Sequence, residues 1–148
     1  MAMTMNGEVQ LAAPRAAVWA KLNDPEVLKL CIPGCETLEK LSDTEFQAAA
    51  TNKIGPVKAR FKGKVRLSDL DPPNGYRISG EGDGGVAGFA KGGATVALAE
   101  KDGGTLLTYN VEAQIGGKLA QLGQRLVNGA AKKLADQFFT KFAGQFAA

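Results

Sequence analysis

The 148-residue chain contains no histidine. That removes the commonest general base, the Ser–His and Cys–His nucleophile pairs, and the commonest metal ligand. Cysteine is scarce as well, with only Cys31 and Cys35, and two thiols alone cannot complete a structural zinc site. No apolar run approaches the roughly 20 residues of a transmembrane helix. The start, "MAMTMNGEVQ", lacks a basic region followed by an apolar core, so no secretory signal is expected. Charge of one sign is also lacking. The net charge of +3 implies no strong global attraction to nucleic acid, and no nucleic-acid motif accompanies the basic residues. These absences lead us to expect a cytoplasmic protein. With 45% hydrophobic residues, its length suits one domain over residues 1–148 with one core.

What is present reads as strands bracketed by helices. Residues 6–12 predict a first strand. Pro14 and the spacing of Val18, Trp19 and Leu22 predict a short helix. Asp24-Pro25 starts a second one, as N-cap and first helical residue, and Pro33-Gly34 stops it. Strands follow at 35–41, 44–54, 57–70, 75–84, 88–100 and 104–115. Turn signals such as Gly55-Pro56, Pro72-Pro73-Asn74-Gly75 and Asp102-Gly103-Gly104 separate them. Such short connections imply an antiparallel meander. Residues 117–146 carry apolar side chains at three- and four-residue spacing and predict one long amphipathic helix, with Gly123 and Gly129 inside it. The predicted class is α+β. A curved antiparallel seven-stranded sheet wraps a long C-terminal helix, the helix-grip architecture, with two short helices after the first strand.

Alternation assigns faces. In 57–67, Phe61, Gly63 and Val65 share one face, and Lys58, Arg60, Lys62, Lys64 and Arg66 share the other. The inward set continues as Phe46, Ala48 and Ala50, then Tyr76, Ile78 and Gly80, then Gly92, Ala94 and Val96, then Tyr109 and Val111, with Leu122 and Leu126 from the helix. Many of these are small. Small residues facing a long helix leave either a close-packed interface or an open cavity, and the residues themselves do not choose. Tyr76, Tyr109 and Asn52 are candidate polar contacts. Thr95 joins them only if a bulge at Gly92-Gly93 reverses its parity.

The five cations on one strand face are a candidate docking face for anionic headgroups or an acidic partner. Against that stands cross-strand pairing with Glu45 and Glu81. The carboxylates fall near turns or outward positions and form no acid–base pair. Cys31 and Cys35, in "CIPGC", raise four readings: redox pair, half a metal site, disulfide, or packing. The spacing is one residue longer than Cys-x-x-Cys, and Cys31 lies at a helix C-terminus, which disfavours thiolate. The expected role is a packed corner.

Several stretches carry a family resemblance. They are "APRAAVWAKLNDPEVLKLCIPGCETLEKL", "IGPVKARFKGKVRL", "GGTLLTYNVEAQIGGKLAQLGQRLV" and "FFTKF". Together they resemble the CoxG family of carbon monoxide dehydrogenase subunits, within the START-like, polyketide-cyclase-like (SRPBCC) superfamily. The resemblance implies the helix-grip fold and a hydrophobic ligand between sheet and helix, and so favours the cavity. An isoprenoid quinone fits such a lining, and so does a fatty acid or other lipid. It also implies a non-enzymatic accessory of a CO-dehydrogenase-type molybdenum hydroxylase, aiding electron transfer, maturation or membrane recruitment, with peripheral contact at the inner membrane surface. Some members carry an apolar anchoring tail, whereas this sequence ends at Ala148 without one, so permanent anchoring is not expected. The other readings are a pure adaptor docking through the basic face and an enzyme of the cyclase or hydrolase type. A ligand would enter through a mouth built from Leu30, Pro33, Gly84, Gly88 and Phe89.

Overall fold

The computed structural model describes residues 1–146; the end of the expected domain, 147–148, lies outside the described residues. The chain runs through β1 (Ala2–Leu11), α1 (Arg15–Leu22), α2 (Pro25–Cys31), β2 (Cys35–Ser42), β3 (Glu45–Ile54), β4 (Val57–Asp71), β5 (Gly75–Asp83), β6 (Phe89–Lys101), β7 (Gly104–Gly116), α3 (Lys118–Gln121) and α4 (Gln124–Gly144). The seven strands form one antiparallel sheet in the order β1-β7-β6-β5-β4-β3-β2. Strands β2 to β7 are the expected meander. β1 pairs instead with the last strand, so α1 and α2 carry the chain from one sheet edge to the other.

Local signals explain the ends of these elements. The Asp24 carboxylate accepts the Glu26 N–H at 2.9 Å, and Pro25 loses no hydrogen bond in the first turn of α2. Gly34, at φ +70°, turns the chain into β2, and a Cβ there would lie 2.1 Å from the Thr51 carbonyl oxygen. Only glycine fits that corner.

Three expectations are corrected. β1 begins at Ala2 rather than residue 6, because β7 pairs with it from Ala2 to Leu11 and satisfies its backbone. The C-terminal helix is not continuous from 117 to 146. It breaks into α3 and α4 at Gly123, whose φ of +91° is not helical. No bulge occurs at Gly92-Gly93: the registers with β5 and β7 run unbroken, so Thr95 stays on the outer face and accepts from the Arg77 guanidinium at 3.4 Å.

Among the described residues the interior holds two packed clusters rather than one. The larger joins Leu11, Val18, Leu22, Val27, Phe46, Tyr76, Leu107 and Phe142, binding α1, α2 and the end of α4 to the sheet. The smaller joins Met3, Ile115, Leu119 and Val127 around the α3–α4 junction. The backbone of α4 comes close to α2 and to β1.

Candidate functional site

The expected cavity residues divide among three environments. Phe46, Tyr76 and Val96 are buried in the larger cluster, with Ile78 and Tyr109 packed against it. Tyr76 meets Trp19 edge-on, with ring centroids 5.3 Å apart. Phe61, Val111 and Leu122 pack against the smaller cluster. Ala48, Ala50 and Ala94 belong to neither and are half-buried. Ala48 and Ala50 lie on β3 and Ala94 on β6, three strands away. Leu126, 38% exposed, lies against Gly55 in the β3–β4 turn.

The glycines of the expected lining have a backbone reason. A Cβ on Gly63 would lie 2.5 Å from the Glu81 carbonyl oxygen, and one on Gly80 would lie 2.9 Å from that of Lys64. On Gly92 it would come within 2.0 Å of the Glu112 carbonyl oxygen. Their smallness permits close approach of adjacent strands.

The polar candidates also separate. Asn52 donates to the Pro33 carbonyl at 3.3 Å and ties the α2–β2 corner to β3. Thr95 lies outside the interior. Tyr109 is stacked on Phe139, with its hydroxyl over Gly7. Tyr76 is 6% exposed, and burial pushes its phenol well above the ordinary value. It is a neutral hydroxyl on the inner face at any working pH.

The mouth residues do not share one opening. Pro33 and Gly34 face Gly129, Lys133 and Gln137 of α4 across a shallow groove of about 750 Å³. Gly88 and Phe89 line a different groove, on the outer face of the sheet. The segment between β5 and β6 is a single 3-10 turn at Gly85–Ala87. The Gly84 N–H donates to the Gly88 carbonyl at 2.8 Å, and the Asp83 carboxylate accepts the Gly85 N–H at 2.8 Å. Its own bonds therefore hold it closed. Leu30 is 64% exposed at the end of α2.

On the outer face, Lys58, Arg60, Lys62, Lys64 and Arg66 are all exposed. Arg60 pairs with Glu36 at 3.2 Å and Arg66 with Glu45 at 3.7 Å. The Glu36 carboxyl is held below its usual range by the Thr51 hydroxyl and then by Arg60. Glu81 stands opposite Lys64 in register, yet no ion pair joins them among the described residues. Arg60, Lys62 and Lys64 line an outer groove of about 930 Å³, joined by Lys91 of β6. Its floor includes Ala49, 5% exposed although its parity is outward. Reading strands singly missed Lys91 and Ala49, because the groove spans strands distant in sequence.

Cys31 is completely buried and Cys35 half-buried, and both are free thiols. Burial raises the thiol pKa of each, so neither is an activated nucleophile. Among the described residues, no three acidic or thiol side chains gather where they could hold a metal. No helix among them is long and apolar enough to cross a membrane.

Comparison with known proteins agrees with this geometry. The family model for CoxG, a carbon monoxide dehydrogenase subunit, matches residues 7–147. A conserved protein from Geobacillus kaustophilus is 34% identical, with a TM-score of 0.91 over 97% of this chain and 95% of that one. A START superfamily protein from Mycobacterium smegmatis shares the fold at 13% identity, with a TM-score of 0.73 over 97% of this chain and 96% of that one. A putative uncharacterized protein from Rhizobium leguminosarum shares it at 17% identity, with a TM-score of 0.74 over 97% and 93% of the two chains. No curated protein matches the chain. With a seven-stranded helix-grip architecture and a family match from residue 7 to residue 147, the chain belongs to the CoxG family of carbon monoxide dehydrogenase subunits, on a START-like fold.

Proposed function

We propose that this protein is a non-catalytic accessory of a CO-dehydrogenase-type molybdenum hydroxylase. It binds an apolar, quinone- or lipid-like molecule between the sheet and α4. Ligand delivery then serves electron transfer, maturation or recruitment of the enzyme to the inner membrane surface. One observation carries the reading: the interior is split into two packed clusters, and the half-buried Ala48, Ala50 and Ala94 belong to neither. Close-packed interiors leave few voids, so small, partly accessible apolar side chains outside both clusters leave room for an occupant.

Native mass spectrometry and solvent extraction of the purified protein test this reading. The expected result is a stoichiometric co-purifying quinone or lipid. An empty protein that also fails to take up a short-chain quinone would overturn it.

A further inference from the structure

We propose that the outer-face groove receives an extended acidic segment of a partner protein, anchored by one apolar side chain. The inference rests on the accessory reading, in which that partner is the hydroxylase. It concerns the face of the sheet opposite α4.

The charges of this face sort themselves by register. Arg60 and Arg66 are neutralised by Glu36 and Glu45. Lys62, Lys64 and Lys91 are exposed, line the groove, and form no ion pair among the described residues. Three free ammonium groups on two strands select a chain carrying carboxylates. Glu81 and Asp83 stand between them on β5, and the Asp83 carboxylate is occupied by the Gly85 N–H. These interleaved acids impose an alternating pattern that a uniformly charged surface cannot match.

Apolar groups complete the groove. Val86, 87% exposed, and Phe89, 45% exposed, stand on the 3-10 turn and the start of β6 at its wall. Ala49 is buried in its floor. Two large exposed apolar side chains beside an apolar floor mark a place for a side chain. From β2 to β6 the groove crosses roughly 19 Å at ordinary strand spacing, about six residues of extended chain. A flat bilayer meets only the rim of such a concave surface. A peptide segment reaches its floor.

The test is binding of the full-length chain to the purified hydroxylase holoenzyme by biolayer interferometry, at several salt concentrations. Lys62→Glu/Lys64→Glu is expected to weaken binding at least about tenfold and to flatten its salt dependence. Lys133→Glu/Lys141→Glu on α4 makes the same charge change away from the groove, and is expected to alter binding less than about twofold. Val86→Ser is expected to weaken it severalfold, and unchanged melting temperatures would verify that each variant folds. Wild-type affinity in the groove variant, or equal loss in both pairs, would overturn the groove while leaving the accessory reading standing. Loss of binding to phosphatidylglycerol vesicles with hydroxylase binding intact would assign the face to a bilayer and overturn the proposal. A wild-type chain that does not bind the hydroxylase at all overturns the accessory reading itself, and the groove's partner with it.

Discussion

Tyr109 of β7 lies stacked on Phe139 of α4, with ring centroids 5.0 Å apart and planes 17° from parallel. The stack begins a run of aromatic contacts, Phe139 to Phe138 to Phe142 to Phe146, along the end of the helix. The C-terminal half of α4 is therefore clamped to the sheet. Its N-terminal half rests on the smaller cluster around Val127.

Phe142 is the completely buried member of that run. Phe142→Ala is expected to cost about 3–5 kcal/mol in global stability, because it removes a large ring and leaves a cavity. Urea denaturation would read this as a lower midpoint with an unchanged slope. A loss below about 1 kcal/mol would mean that the larger cluster does not support the fold.

Ala94 and Gly92 sit close together on β6 and should respond in opposite ways. Ala94→Trp places a large ring on the inner face of β6, outside both clusters. Under the proposed ligand-binding function it is expected to block quinone uptake with little change in melting temperature. A filled interior would instead lose about 1–3 kcal/mol from overpacking. Gly92→Ala is expected to destabilise, because its Cβ would meet the Glu112 carbonyl oxygen at 2.0 Å. Thermal melts of the two variants with and without a short-chain quinone check the pair.

Thr105 is completely buried, and its hydroxyl donates to the Ala13 carbonyl at 2.7 Å. This bond ties β7 to the connection between β1 and α1. Thr105→Val keeps the shape but leaves that carbonyl unpaired. The expected cost is about 1–3 kcal/mol, measured by denaturant unfolding. Thr105→Ser is expected to retain the bond and recover part of the loss.

Alkaline pH should loosen the fold. Burial raises the Cys31 thiol above its ordinary 9.0 and the Tyr76 phenol above its ordinary 10.0. For each group the folded pKa exceeds the unfolded one. Between the two values the folded state binds more protons, so stability falls as pH rises. The stabilising contribution is complete below about pH 9 and declines above it. Cys31→Ala and Tyr76→Phe are each expected to flatten the alkaline limb of a stability–pH curve. A thiol reagent should label native Cys31 only on unfolding.

Much of the fold was legible because its signals are local. The alternation in 57–67 places Phe61 and Lys62 on opposite faces with no knowledge of neighbouring strands. Asp24-Pro25 and Pro33-Gly34 bound α2 by capping and turn chemistry alone. The candidate site was legible only in outline. Parity listed Phe46, Tyr76 and Val96 beside Ala48 and Ala94 as one lining. Membership of the cluster that holds Phe142 placed the first three within a solid core, with Tyr76 edge-on to Trp19. Glycine looked like room for a ligand at Gly63, Gly80 and Gly92, whereas its neighbours across the sheet show a close backbone approach. The break at Gly123 was hidden because helical spacing continues through it.

The sequence by itself determined element type, face and family, since each depends on residues close together in the chain or on their order. Tertiary structure decided what depends on register between distant strands. It set β1 beside β7 and neutralised Arg60 and Arg66 while leaving Lys62 and Lys64 without an ion pair among the described residues. It also divided the interior into two cores. Charge pairing and packing are contacts across tens of residues, and no local pattern encodes which partner arrives.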